Sequence, residues 1–182
     1  MGELVDRVDE NDNIVGPVER SFAHDNNLWH RSAHIWVYSK DGNVLIQRRS
    51  KNVTNHPGLL DISAAGHVRS GLSPEEGAQA ELLEEIGLDI QLNDLRCSRV
   101  IKDEREEPRF NRTHRQMLYM YFIEVSVSTE FVFNDGEVAE VFWMPYETFA
   151  GILSSKELCD QFVPHTKQYL EYVVNELGTR IG

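Results

Sequence analysis

The chain has 182 residues, with 30 acidic and 18 basic side chains and a formal net charge of −12. Its length fits one compact domain over residues 1–182, and its acidity excludes a surface that neutralises nucleic-acid phosphates in bulk. Two cysteines are too few for a disulfide framework, and no apolar run reaches the roughly 18 residues of a membrane span. We therefore expect a soluble, cytoplasmic protein with no membrane or nucleic-acid partner.

The N-terminal part of the chain predicts strands joined by turns. Residues 4–20 are typical of a β-hairpin with its turn at 10–13, within an N-terminal extension over residues 1–32. Strands are then predicted at 33–38 and 44–47.

Three cations follow the second of these strands directly: Arg48, Arg49 and Lys51. A solvated loop is the ordinary explanation for such a group. In a chain with so much negative charge, we interpret these cations as receivers of a substrate phosphate.

Capping signals define a short helix in the middle of the chain, after a strand predicted at 60–65. Ser73 and Glu76 form a capping box, which satisfies free N–H groups of the first turn. Gly87 is placed for a left-handed C-cap, so the helix is predicted over residues 74–86.

Three carboxylates share one side of this helix. At about 100° per residue, Glu81, Glu84 and Glu85 fall away from its apolar side. A solvated acidic face is one interpretation, because like charges at this spacing cost only about 0.2–0.5 kcal/mol per pair. The loop glycines Gly66 and Gly71 favour a second one, a site for a divalent ion bound through oxygen, with Mg²⁺ as the first choice and Mn²⁺ as an alternative.

The stretch over residues 66–88 resembles the Nudix box, whose pattern is glycine, five spacers, glutamate, seven spacers, then Arg-Glu-aliphatic-any-Glu-Glu-any-Gly-aliphatic. The matching positions are Gly66, Glu81, Leu82, Glu84, Glu85, Gly87 and Leu88. Two positions differ, because Leu72 replaces the loop glutamate and Ala80 replaces the arginine. These two family residues typically pair, and losing both members of a pair costs a fold little. We therefore expect weaker positioning of Glu81 and slower catalysis rather than a damaged fold.

The resemblance implies both a fold and a reaction. The implied fold class is α/β, a Nudix-type α/β/α sandwich with a mixed sheet. The implied reaction is Mg²⁺-dependent hydrolysis of a phosphoanhydride in a small-molecule diphosphate linked to a variable group, such as a nucleoside. The implied metal ligands are Gly66, Glu81, Glu84 and Glu85. The implied catalytic residues are Glu81, Glu84, Glu85 and Glu137, and the substrate-binding cations are Arg48, Arg49, Lys51 and Arg69.

Beyond the box, residues 91–105 predict one or two strands, and the charged tract at 102–107 predicts a loop. An acidic turn at 134–140 contains Glu137, which the resemblance implies as a further carboxylate for metal or water, with Glu140 in reserve. The remaining predicted elements are strands at 117–127 and 141–144 and helices at 146–153 and 165–177.

A second hypothesis is an activity like that of isopentenyl-diphosphate isomerases, a branch of the superfamily that the N-terminal arms and the acidic turn resemble. Those isomerases use a cysteine before the box glycine, three histidines and an acidic pair. The cysteine position here is Ala65, and the nearest substitute for the acidic pair is Gln116. Without the thiol and the carboxylate, isomerisation lacks its proton donor and acceptor, so hydrolysis ranks higher.

The histidines of the isomerase pattern are present. His67 follows the box glycine, and His24 and His30 match the upstream positions loosely. Such histidines are usually packed or hydrogen-bonded side chains, and binding of a second metal is the alternative.

A third hypothesis is a binding or regulatory module that kept the fold and lost the chemistry. The doubly altered box motivates it. The sequence leaves the identity of the diphosphate and the oligomeric state open, with a homodimer as one candidate.

Overall fold

The computed structural model describes residues 2–107, 111–133, 136–155 and 160–182. Its strands are β1 (Leu4–Val8), β2 (Ile14–Glu19), β3 (His30–Ser39), β4 (Asn43–Arg49), β5 (Leu60–Asp61), β6 (Ala64–His67), β7 (Arg99–Glu107), β8 (Arg112–Glu124) and β9 (Val138–Pro145). Its helices are α1 (Arg20–Asp25), α2 (Pro74–Ile86), α3 (Tyr146–Ser154) and α4 (Lys167–Ile181), with a short 3₁₀ turn at Leu92–Asp94. The strands belong to one nine-stranded sheet, which confirms the predicted α/β fold class.

Strand β3 has the most neighbours in the sheet. It pairs with β1, β4, β6 and β8, while β4 also pairs with β5 and β9. The pairing of β6 with β3 therefore holds the start of the loop that precedes helix α2.

The chain divides into two compact units that interleave along the sequence. Unit 1 contains Met1–His34, Ala65–Glu81 and Ile90–Tyr121, and unit 2 contains Ile35–Ala64, Leu82–Asp89 and Phe122–Gly182. The expectation of a single domain over residues 1–182 stays a prediction.

In unit 1, β1 and β2 form the predicted antiparallel hairpin. Val8 of β1 packs with Trp29 and Met117 in a small apolar cluster. Helix α1, which follows the hairpin, was not predicted, since it is only six residues long.

The prediction of a loop at 102–107 is wrong, because this tract lies in strand β7. Strand β7 pairs with β8 over its whole length, which satisfies the backbone groups of the charged residues. Glu104 lies opposite Arg115 and the two side chains form an ion pair at 2.7 Å. Asp103 faces inward and is bound by Arg105 at 2.6 Å. Cross-strand pairing thus outweighs a composition that is typical of loops.

Unit 2 has an aromatic core. Trp36 packs against Phe149 with ring centroids 5.2 Å apart, and its indole N–H donates to the Tyr169 hydroxyl at 3.2 Å. Helix α4 buries Tyr169, Val173 and Leu177, so the predicted amphipathic face is confirmed, although the helix runs from Lys167 to Ile181 rather than over 165–177.

Helix α2 has the predicted bounds, Pro74–Ile86. The backbone N–H of Ser73 donates to the Glu76 carboxylate at 2.8 Å, and the N–H of Glu76 donates to the Ser73 hydroxyl at 3.2 Å. Gly87 has φ +68°, as its left-handed cap requires. The fully buried residues of the helix are Ala78, Leu82 and Ile86.

The single strand predicted at 60–65 is wrong, because two strands occupy it. Ser63 lies between β5 and β6, and its hydroxyl forms hydrogen bonds with the backbone of two other strands, β3 and β4. It accepts from the N–H of Val37 at 2.8 Å and donates to the carbonyl of Leu45 at 2.7 Å.

The other predicted elements are present with shifted ends. Strand β8 begins at Arg112, five residues earlier than predicted, and ends at Glu124. Strand β9 and helix α3 start within a few residues of their predicted positions. None of the helices in the described part of the chain combines the length and hydrophobicity needed to cross a bilayer.

Candidate active site

Gly66 and Glu81 fit against each other in unit 1. A Cβ atom added to Gly66 would overlap the carboxylate of Glu81, so the glycine leaves room for this side chain in its present orientation. The hydroxyl of Ser32 donates to the carbonyl oxygen of Gly66 at 2.7 Å and fixes its direction.

Glu85 is held in unit 2 by a buried amide. Gln47 donates from Nε2 to Oε2 of Glu85 at 2.9 Å, and the two side chains are 2% and 5% exposed. The same amide lies 3.4 Å from the carbonyl of Ser63. Because strand β4 and the bend at Ser63 are both buried, the direction of the Glu85 carboxylate is restricted.

The three carboxylates of helix α2 differ in exposure. Glu84 is exposed, Glu81 is partly buried and Glu85 is buried. A purely solvated acidic face would expose all three, so that interpretation fails for Glu85. Carboxylate and carbonyl oxygens are the ligands that Mg²⁺ and Mn²⁺ accept, and the donor types present on this loop and helix fit such an ion.

The two altered box positions are apolar and partly buried. The backbone N–H of Leu72 donates to the carbonyl of Arg69 at 3.1 Å, which closes the loop before the helix. Ala80 lies on helix α2 and is also partly buried. Because both positions are apolar, neither leaves a charge without its family partner.

The predicted phosphate-binding cations have acidic neighbours. Arg48 lies 2.6 Å from Glu140, in a pair whose two side chains are largely exposed. Arg49 lies 3.0 Å from Asp61, in a pair that is mostly buried. Lys51 is exposed in the turn that follows β4.

Arg69 belongs to unit 1 rather than unit 2 and lies 4.0 Å from Glu3.

Glu137 lies beside the end of strand β4, where these cations occur. Its backbone carbonyl accepts from the N–H of Ser50 at 2.7 Å, and its side chain is exposed. Its turn includes Asn134 and Asp135, which lie outside the described residues. Of the two acidic candidates in this segment, Glu140 is engaged by Arg48.

Three histidines meet in unit 1. The possible ligand atoms of His24, His30 and His67 all lie within 4.8 Å of one another, and no other such group of three occurs among the residues the structure describes. Nε2 of His24 lies 3.0 Å from Nε2 of His67. The amide of Gln116 lies 3.2 Å from Nε2 of His30 and 3.0 Å from Nε2 of His67.

Burial lowers the pKa of all three histidines and so favours their neutral form. Burial, with the charges of neighbouring histidines, lowers the pKa of His24 to about 3. Burial also lowers the pKa of His30 to about 4, against a hydrogen bond to Leu28 that raises it, and places the pKa of His67 well below its usual value. Neutral imidazole is the form that binds metals.

The residues that orient this site were not identified from the sequence. Gln47 was only the last residue of a predicted strand, and Ser32 was not considered, because each acts on a residue more than thirty positions away. The three histidines were considered together in the sequence, and the structure brings their ring nitrogens within 4.8 Å of one another. His114, whose ring stacks on His24 with centroids 5.5 Å apart, carried no signal in the sequence.

Comparison with known proteins gives consistent results. An uncharacterised Nudix hydrolase of Clostridium acetobutylicum is 29% identical over 96% of this chain and 97% of its own length. An isopentenyl-diphosphate Δ-isomerase of Photorhabdus laumondii is 35% identical over 50% of this chain and 52% of its own, so only half of each protein is matched. The crystal structure of DR0079 from Deinococcus radiodurans has the same fold, with a TM-score of 0.67, 21% identity and coverage of 96% and 99%.

A family model identifies the domain family of the chain. The model of the NUDIX domain matches residues 28–165, which include strand β3, the loop before helix α2 and strand β9. The loop and helix that carry Gly66, Glu81, Glu84 and Glu85 lie within this range. The chain therefore belongs to the Nudix domain family.

Proposed function

We propose that the protein hydrolyses a phosphoanhydride bond in a small-molecule diphosphate linked to a variable group, with Mg²⁺ as its metal ion. The observation that carries this proposal is the burial of Glu85. This carboxylate is 5% exposed and accepts a hydrogen bond from a neutral amide. The Gln47 amide fixes the direction of this buried carboxylate, as hydrogen-bonded partners do for metal ligands, and this supports a functional role.

The metal ligands in this proposal are Glu81, Glu84, Glu85 and the carbonyl of Gly66. When bound, Mg²⁺ would supply positive charge beside the diphosphate and lower the pKa of an attacking water. The fit between Gly66 and Glu81 supports this assignment, since the glycine makes room for a ligand carboxylate.

The proton of the attacking water needs an acceptor on the chain. Glu84, Glu85 and Glu137 are the candidates. Glu137 ranks before Glu140, because Glu137 matches the position at which the family resemblance implies a further carboxylate. An exposed carboxylate such as Glu137 can also exchange the proton with solvent.

The cations differ in how easily they could leave an acidic partner to bind a substrate phosphate. Exposed ion pairs contribute only about 0–1 kcal/mol, so Arg48 can exchange Glu140 for a phosphate oxygen at little cost. Arg49 is held by a mostly buried pair with Asp61, and breaking such a pair is expensive. We therefore assign Arg48 and Lys51 to direct phosphate binding, with Arg69 as a further cation, and Arg49 to holding the loop in place.

An isomerase-like activity is less well supported. Position 65 is alanine, and burial raises the pKa of the Cys97 thiol, which opposes its use as a nucleophile or base. Cys159 lies outside the described residues. Gln116 occupies the region of the acidic pair and its amide binds His30 and His67 instead of accepting a proton.

Turnover assays test the proposal. Wild-type protein, Glu85→Gln and the control Glu147→Gln are compared on a panel of nucleoside and non-nucleoside diphosphates, with and without Mg²⁺. Glu147 is a matched control because it is an exposed carboxylate on helix α3. We expect metal-dependent release of phosphate or a monophosphate, lowered by about 10²-fold or more in Glu85→Gln alone. Unchanged turnover in Glu85→Gln would remove the catalytic assignment.

Calorimetry with Mg²⁺ and the same panel separates the enzyme from the binding module. Binding without turnover in the wild type would favour the module. The double variant Leu72→Glu with Ala80→Arg then shows whether the altered box limits the rate. A large gain in turnover would mean that the native box is impaired, and no gain would mean that Leu72 and Ala80 are compatible with full activity.

A further inference from the structure

The loop before helix α2 is held at both of its ends within unit 1. This loop, the box loop, runs over residues 68–73 between β6 and α2. At its start, the N–H of Val68 donates to the carbonyl of Arg31 in β3 at 3.0 Å. At its end, the capping box of Ser73 and Glu76 begins the helix. The middle of the loop needs partners of its own.

The tip of the box loop is a β-turn over residues 69–72. The N–H of Leu72 donates to the carbonyl of Arg69 at 3.1 Å, and Gly71, at the third position, has φ +85°. A turn of this kind gives the N–H groups of its two central residues, Ser70 and Gly71, no partner within the turn. Exposed turns are ordinarily mobile parts of a protein. A fixed path for this tip therefore requires contacts outside the loop.

Strand β1 of the N-terminal hairpin supplies the backbone contacts. The N–H of Ser70 donates to the carbonyl of Leu4 at 2.8 Å. Arg69 forms an isolated antiparallel bridge with Val5, which is fully buried. The first half of the turn is thus paired with β1 as a short strand would be.

The carboxylate of Asp6 holds the second half of the turn. The hydroxyl of Ser70 donates to Oδ1 of Asp6 at 2.6 Å, and the N–H of Gly71 donates to Oδ2 at 3.0 Å. Hydrogen bonds to an ionised carboxylate are stronger than those between neutral groups. Asp6 is also partly buried, so water competes less for its oxygens. Both oxygens of one side chain on β1 therefore fasten the tip of the box loop.

The path of the box loop sets how helix α2 returns over strand β6. A Cβ atom added to Gly77 would lie 3.0 Å from Cγ2 of Val68, so the helix packs directly on the start of the loop. One turn later, the carboxylate of Glu81 lies against Gly66. These two proposed metal ligands thus lie at the two ends of the segment that Asp6 anchors. A shift of the loop would move the Glu81 carboxylate relative to the Gly66 carbonyl.

The box loop and the helix have apolar side chains at the two altered box positions. Leu72 in the loop and Ala80 on α2 cannot form an ion pair with each other. The charged anchor of the loop is instead the carboxylate on β1.

We propose that Asp6 is a positioning residue for the candidate metal site. By holding the box loop on β1, it orients the Gly66 carbonyl and the Glu81 carboxylate, in place of an ion pair between the loop and the helix. This role rests on the proposed function, in which Gly66 and Glu81 are metal ligands.

Two variants of the full chain test this role. Asp6→Asn keeps the size of the side chain and replaces one acceptor oxygen by an NH₂ group, which cannot accept a hydrogen bond. Ser70→Ala removes one donor from the turn, and this small change keeps the test valid if Asp6→Asn does not fold. Asp9→Asn is the matched control, because the Asp9 carboxylate also binds backbone N–H groups, those of Asn11 and Asn13 in the hairpin's own turn.

Amide hydrogen exchange of the metal-free protein, measured by NMR, reports on the loop itself. We expect the N–H of Gly71 to exchange at least about tenfold faster in Asp6→Asn than in the wild type, and at the wild-type rate in Asp9→Asn. Ser70→Ala should also speed exchange in the box loop. Unchanged protection of this loop in both Asp6→Asn and Ser70→Ala would overturn the proposal.

Metal binding reports on the site. We expect Asp6→Asn to weaken Mn²⁺ binding, followed by electron paramagnetic resonance, by at least about tenfold. The Mg²⁺ concentration for half-maximal turnover should rise by a similar factor, with KM for the diphosphate close to that of the wild type. A merely structural Asp6 would lower stability and leave both metal measurements at their wild-type values, and that result would overturn the proposal.

A rescue experiment tests whether Asp6 acts in place of an ion pair. Adding Leu72→Glu and Ala80→Arg to Asp6→Asn should restore much of the lost Mn²⁺ affinity, whereas the same pair should change the affinity of the wild type less. An equal change in the two backgrounds would show that the pair and Asp6 act independently, and would overturn this part of the proposal.

The metal measurements also separate this proposal from the proposed function. Mn²⁺ binding and turnover that are lost in Glu85→Gln and kept in Asp6→Asn would overturn the role of Asp6 and leave the hydrolysis standing. A wild type that neither binds Mn²⁺ nor turns over a diphosphate would overturn the hydrolysis, and with it any role of Asp6 in a metal site.

Discussion

The side-chain amide of Gln47 donates a 2.9 Å hydrogen bond to Oε2 of Glu85, and both side chains are buried. Glu85 is a proposed metal ligand, whereas Gln47 touches neither metal nor substrate in the proposed mechanism. Gln47 is therefore a positioning residue, since its amide restricts the carboxylate to one orientation.

Replacing Gln47 by methionine keeps most of its volume and removes the donor. We expect turnover to fall by about 10–100-fold and the Mg²⁺ concentration for half-maximal rate to rise, with KM for the diphosphate little changed. Loss of the hydrogen bond should also cost about 1–3 kcal/mol of unfolding free energy. Gln79→Met is the control, because Gln79 donates at 2.6 Å to the carbonyl of Ile90 instead of to a carboxylate. If both variants lose stability and keep the wild-type Mg²⁺ dependence, Gln47 has only a structural role.

The capping box gives a prediction about stability alone. Ser73 accepts from the N–H of Glu76, so Ser73→Ala should lower the unfolding free energy by about 1 kcal/mol, within a range of about 0.5–2. Urea denaturation measures this change. Ser154→Ala is a suitable comparison, since Ser154 bonds the carbonyl of Ala150 within helix α3 and caps nothing at its N-terminus. Equal losses in the two variants would show that the cap contributes no specific stability.

Helix α2 could be predicted to the residue because its signals are local. Ser73, Glu76 and Gly87 lie within or beside the helix they define, and the sequence shows them together. Strand β7 could not be predicted in the same way. Its charged residues are stabilised by β8 and by pairs such as Glu104 with Arg115, which depend on tertiary structure.

The sequence predicts the residue types of the candidate site but not the side chains that contact them. The motif identifies the carboxylates, but the burial of Glu85 depends on Gln47, 38 positions away. Likewise, the ion pair of Arg48 with Glu140 depends on strand pairing between residues 92 positions apart in the chain. Neither contact leaves a trace in local sequence patterns.

Gly66 gives a direct test of the fit with Glu81. In Gly66→Ala the added Cβ would overlap the Glu81 carboxylate, so the carboxylate or the backbone must move. The overlapping atoms are the end of a flexible side chain, so the carboxylate can turn aside at little cost in unfolding free energy. We expect a strong loss of Mg²⁺-dependent turnover with stability close to that of the wild type. Gly151→Ala is the matched control, because nothing lies within 4 Å of a Cβ built there. Wild-type turnover in Gly66→Ala would show that Gly66 need not be glycine.

Buried histidines make the stability of the fold depend on pH. His34 is buried in β3, and this burial, with the charges of Arg105 and His114, lowers its pKa to about 3. In the unfolded chain its pKa is about 6.5. Below pH 6.5 the unfolded state therefore takes up a proton that the folded state refuses, so stability falls as the pH falls toward 3.

Replacing His34 by glutamine removes this proton uptake. Between pH 7 and pH 5 the wild type should lose about 2 kcal/mol more unfolding free energy than His34→Gln does, because the slope is about 1.4 kcal/mol per pH unit for each such histidine. Urea denaturation of both proteins at the two pH values measures the difference. Altered packing also lowers the unfolding free energy of His34→Gln at pH 7. This loss cancels, because only the change in unfolding free energy between the two pH values is compared. An identical loss in the two proteins would mean that His34 is protonated as readily in the folded chain as in the unfolded one.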